Sequence, residues 1–92
     1  MKIAVVHSQS GHVAMEFDNL PEFVQSFQNG IMEGFHFTFL GHNIKMSEYI
    51  EDERARIQFV YVDNKMVGSV PAHGDVMHNA LSKVIDYLDQ HN

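Results

Sequence analysis

The stretch Arg56-Ile57-Gln58-Phe59-Val60-Tyr61-Val62-Asp63-Asn64-Lys65-Met66-Val67-Gly68-Ser69-Val70 decides the fold. β-Branched and aromatic residues fill both arms, and the polar pair Asp63-Asn64 between them tolerates positive φ. A two-residue turn there predicts a hairpin in which Tyr61 faces Met66, Phe59 faces Gly68 and Ile57 faces Val70. That register makes one strongly apolar face. It places Val60, Val62 and Val67 on the opposite face, where a solvated sheet is normally polar.

A second hairpin is expected over residues 2–17, closed by Ser8-Gln9-Ser10-Gly11. Pairing His7 with His12 puts Ala4, Val6, Val13, Met15 and Phe17 on a core face and Ile3, Val5, Ala14 and Glu16 on the other. Lys2–His12 also has the form of a strand running into a Ser/Gly loop, the setting of many phosphate cradles. The alternation of Val13-Ala14-Met15-Glu16-Phe17 has no helical period, so the loop reads as a hairpin turn.

Asp18-Asn19-Leu20-Pro21-Glu22 carries a capping residue, a proline and a carboxylate suited to a helix start. Leu20, Phe23, Val24 and Phe27 follow at helical spacing, and Asn29-Gly30 supplies the stop. Phe35-His36-Phe37-Thr38-Phe39-Leu40 alternates as a strand with three phenylalanines on one side. Gly41-His42-Asn43 reads as a turn and Ile44-Lys45-Met46 as a short return strand. Ser47 through Glu53 reads as a helical turn or a loop, and it is the most polar segment. Asp75 is placed to cap a final helix whose stripe is Met77, Ala80, Leu81, Val84, Ile85 and Leu88. The expected fold class is α+β: one domain over residues 1–92, a mostly antiparallel sheet of four or five strands with two helices, in the order β-β-α-β-(β)-β-β-α.

Composition narrows function. The 92 residues contain no cysteine, which removes disulfides, thiolate metal sites and thiol catalysis. The formal charge is −6 with neutral histidines, and concentrated basic charge is missing, so direct nucleic-acid binding is not expected. An acidic surface suits docking against a basic patch on another macromolecule. Seven histidines make that charge sensitive to pH, and protonating all of them would reverse its sign. No apolar run reaches membrane-spanning length and the N-terminus lacks a secretory pattern, so a soluble cytoplasmic protein without membrane contact is expected.

Candidate chemistry is sparse. The serines at positions 8, 10, 26, 47, 69 and 82 lie outside any nucleophile-elbow pattern, and no catalytic residue is assigned. His7 and His12 would be neighbours across the first hairpin, but the histidine spacings match no ligand motif, so neither metal nor cofactor is assigned. The segment Glu48-Tyr49-Ile50-Glu51-Asp52-Glu53 sets an aromatic among carboxylates, the composition of an interface anchor with a polar rim. Glu48, Tyr49, Glu51, Asp52 and Glu53 are therefore the expected partner-binding residues. Val60, Val62 and Val67, on a face the two helices were not expected to cover, are the expected homodimer interface. These features describe a small acidic, non-enzymatic protein-binding module. Its format suits inhibitors, antidotes and accessory regulators, including the anti-host or anti-defence factors that phages carry. The alternative is a small-ligand or metal-dependent protein with a histidine-containing site between subunits.

Overall fold

The computed structural model describes residues 2–31, 33–51 and 55–91. The chain runs β1 (Ile3–His7), β2 (Val13–Phe17), α1 (Leu20–Ser26), β3 (Phe35–Phe39), β4 (His42–Met46), β5 (Ile50–Glu51), β6 (Arg56–Val62), β7 (Lys65–Pro71) and α2 (Val76–Gln90). All pairings are antiparallel. The sheet is ordered β2-β1-β3-β4-β6, with β5 and β7 also paired to β6. The α+β class and the antiparallel sheet with two helices are as expected; among the described residues the sheet has seven strands, counting two-residue β5, rather than four or five.

Local signals explain most elements. Asn19 caps α1 by accepting the Glu22 N–H on Oδ1 at 2.9 Å, and Pro21 stands in the first turn, where no N–H is needed. Asp63 and Asn64 take φ of 49° and 70°, the left-handed pair of a tight hairpin turn whose twist matches its strands. The turn after β3 is Leu40-Gly41, with Phe39 paired to His42, one residue earlier than the sequence suggests. Residues 47–49 take no helical form, and Ile50–Glu51 instead pair with Ile57 and Arg56. Asp75 makes no side-chain cap; its Oδ1 accepts from Gln28 Nε2 at 2.9 Å, tying α2 to the segment after α1.

The two hairpins correct the expected faces. Both begin in the predicted register, with His7 N–H donating to His12 O and Tyr61 opposite Met66. Each then shifts by one residue: Val6 faces Val13 but Val5 faces Met15, and Tyr61 faces Met66 but Val60 faces Gly68. A one-residue bulge exchanges inside for outside in everything beyond it. Thus Ile3 and Val5, not Ala4, join Phe17 in the core, together with Phe37, Ile44, Val62 and Val60.

Val60 and Val62 are 0 % and 2 % exposed, and Val67 is half-buried against the same core. The expectation that these three valines line an uncovered face is therefore overturned. The reason is α2, which packs over the β6–β7 pair and lays the Lys83 side chain on Gly68. Its partner Val60 consequently lies under the helix. At the other end, Phe23 of α1 sits with Phe17 and Phe37 at ring-centroid separations of 5.6 and 4.7 Å. Among the described residues no helix covers the opposite sheet face, and Ile57, Phe59 and Tyr61 lie half-buried on it. No helix among the described residues is long and apolar enough to cross a membrane.

Candidate functional site

The acidic segment leaves the sheet after β4. Ser47 anchors its start: Ser47 Oγ accepts the Phe59 N–H at 2.8 Å, and Ser47 N–H donates to Phe59 O at 2.9 Å. Beyond this anchor Glu48, Tyr49, Ile50 and Glu51 are all exposed, Tyr49 at 51 %. Arg56 holds the outgoing end, donating to Glu51 Oε1 at 3.2 Å while its guanidinium stands 5.7 Å from the Tyr49 ring centroid. The structure thus gathers Glu48, Tyr49 and Glu51 at one edge. Asp52 and Glu53 lie outside the described residues.

Beside this segment is a cleft of about 480 Å³, lined by residues 29–31, Glu33, Ser47, Glu48, Tyr49 and Gln58. It brings the connection after α1 against the connection after β4. Glu33 faces Glu48 across it. A hydrogen bond to the Glu48 carboxylate, together with that group's negative charge, holds the Glu33 carboxyl above its usual range.

Gln58 enters from β6. It is 4 % exposed, and its Nε2 donates to Ser47 O at 3.0 Å. Its Oε1 is buried and has no hydrogen-bond partner among the described residues. A buried amide oxygen left in this state costs roughly 1–3 kcal/mol. Sequence reasoning missed Gln58 because alternation placed it on the face opposite Phe59 without showing what covered that face. A glutamine inside an otherwise apolar strand was the available signal.

The histidines do not converge. His7 lies against Phe35 with ring centroids 4.6 Å apart, His42 pairs with Asp63, and His91 stacks on Tyr87 at 4.1 Å. Among the described residues no three His, Asp or Glu side chains are grouped to hold a metal ion. His36 Nδ1 is 3.0 Å from Ser8 Oγ, a contact that could begin a nucleophile–base pair. No carboxylate hydrogen-bonds to His36 among the described residues to orient its ring. Desolvation, reinforced by the Lys45 charge, lowers the His36 pKa.

No family model matches this chain, and neither a curated protein nor a solved structure matches it. The site must be read from its own chemistry.

Proposed function

We propose that the protein is a small non-enzymatic protein-binding module that docks a basic surface with the edge formed by Glu48, Tyr49 and Glu51, together with Asp52 and Glu53, which follow in the sequence. One observation carries the reading: an exposed tyrosine held between carboxylates, on a segment anchored at both ends by Ser47 and Arg56. An amphipathic ring within a charged rim is the composition of an interaction hot spot, and the Ser47 and Arg56 contacts reduce how much of its segment must be ordered on binding. The net charge of −6 adds long-range attraction for a basic partner. Roles of the inhibitor, antidote or accessory-regulator kind, including phage-borne ones, and a cytoplasmic setting are consistent with this format.

The test is capture of a partner by the purified chain and by a variant carrying Glu48→Lys, Glu51→Lys, Asp52→Lys and Glu53→Lys. Loss of one discrete partner supports the reading, and undiminished capture removes the acidic edge from it.

Homodimerisation belongs to the same proposal, but not through Val60, Val62 and Val67, which the subunit's own core takes up. Met66 is 54 % exposed next to Tyr61 on the sheet face that α1 and α2 leave open, with Phe59 and Ile57 along the same strand. Solution mass measured between pH 5.5 and 8 (values chosen to bracket histidine titration) tests this, and Tyr61→Lys should dissociate any dimer formed there. The alternative, a histidine-containing ligand or metal site between subunits, predicts a thermal shift with one divalent ion or nucleotide that is lost in the dissociated variant.

A further inference from the structure

We propose that the cleft between Gly30 and Tyr49 is a subsite for one arginine side chain of a protein partner, with Gln58 Oε1 at its floor and the Glu33 and Glu48 carboxylates at its rim. Only the source of that arginine rests on the protein-binding reading.

Three features of the cleft select this occupant. The first is the buried oxygen. Gln58 cannot turn its amide round without losing the Nε2 bond to Ser47 O, so an acceptor remains facing the Gly30 side. A Cβ at Gly30 would lie 3.0 Å from that oxygen, 3.2 Å from Val76 Cγ1 and 3.4 Å from the Met46 methyl. A donor approaching this point must therefore displace the ends of Val76 and Met46, the second of them a flexible thioether.

The second is charge. Glu33 and Glu48 both stand at the rim, and a cation beside them would displace the proton they share and offset their negative charge. The third is shape. The guanidinium is planar and offers five N–H donors in a fork, enough to serve a rim carboxylate and the floor amide together, and its face suits the Tyr49 ring. The Arg56 guanidinium is 5.7 Å from the centroid of that ring, so the ring already serves one guanidinium. A cleft of about 480 Å³ accommodates the side chain with some flanking backbone.

The experiment titrates N-acetyl-arginine amide into the full chain and follows the Gln58 side-chain carboxamide and the Tyr49 ring by NMR. N-acetyl-citrulline amide, neutral and nearly the same shape, is the control. Saturable shifts at both positions are expected, with about tenfold weaker binding of the citrulline compound, the loss of one charge-assisted contact. Glu48→Gln should weaken the arginine compound by a similar factor. Gln58→Met, checked for an unchanged backbone spectrum, should abolish the saturable shift of the Tyr49 ring.

Equal shifts from the two compounds would overturn the proposal. So would movement of the exposed carboxylates while the Gln58 carboxamide stays still. Either result leaves capture by the acidic edge as it is, so failure of the subsite and failure of the docking reading are distinguished.

Discussion

His42 Nδ1 and Asp63 Oδ2 lie 2.7 Å apart, and the pair ties the Asp63-Asn64 turn to the neighbouring strand. The other oxygen, Asp63 Oδ1, accepts the Asn43 N–H at 2.9 Å, and the Asp63 N–H donates to Asn43 O at 2.8 Å. One residue in the left-handed region therefore ties the β6–β7 turn to β4. The hydrogen bond from His42, with the one from Asn43, lowers the Asp63 pKa below 3.8.

This gives a sign for acid unfolding. A lowered carboxylate pKa contributes stability above its unfolded value that is lost as pH falls through the folded one. The lowered His36 pKa acts in the same direction: the unfolded chain takes up the proton first, so destabilisation begins as pH falls through 6.5 and levels off below the folded value. Denaturant midpoints should thus decrease in two stages on acidification. Asp63→Asn should remove the lower stage and retain the turn, because asparagine also accepts positive φ.

Leu40 takes φ of 52° in the Leu40-Gly41 turn while 60 % exposed. A leucine gains nothing there from burial and bears left-handed strain of about 1–2 kcal/mol. Leu40→Asn should therefore raise stability by about 0.5–1 kcal/mol, seen as a higher melting temperature with no change in the amide spectrum beyond the turn.

The corrected faces of β6 make a paired test. Val60→Ala, beneath α2, should cost about 2 kcal/mol, whereas Ser69→Ala, opposite Phe59 on the open face, should cost under about 0.5 kcal/mol. Comparable losses would contradict the placement of the helices.

Docking through the acidic edge should be sensitive to salt. The affinity for a basic partner is expected to fall by about tenfold between 50 and 300 mM salt, roughly the range over which the Debye length contracts below the spacing of surface charges. Titration calorimetry at the two concentrations checks it, and a salt-independent affinity would point to an apolar contact instead.

What could be read in the sequence was local. Asn19-Leu20-Pro21 announced α1, the phenylalanines at 35, 37 and 39 chose one side of β3, and Asp63-Asn64 set the turn. The side of the hairpins that faces inward was not legible. Both faces of β6 are apolar, Val60 and Val62 on one and Phe59 and Tyr61 on the other, so alternation could not choose between them. The choice came from long-range packing, α2 against Gly68, and from bulges at Ala14 and Val67 that carry no turn residue to mark them. Half of the candidate site was visible as the acidic segment. The cleft beside it was not, because Glu33, Glu48 and Gln58 meet only when the connections after α1 and β4 are brought together.

The most direct measurement replaces Tyr49 with a photo-crosslinking phenylalanine analogue and illuminates the protein in extract from its native cell, with the same analogue at Ser82 on the outer face of α2 as reference. A single crosslinked protein from position 49, absent from position 82 and lost when Glu48 and Glu51 are reversed to lysine, is the expected result. Crosslinks that are the same from both positions, or that survive the charge reversal, would contradict docking through the acidic edge.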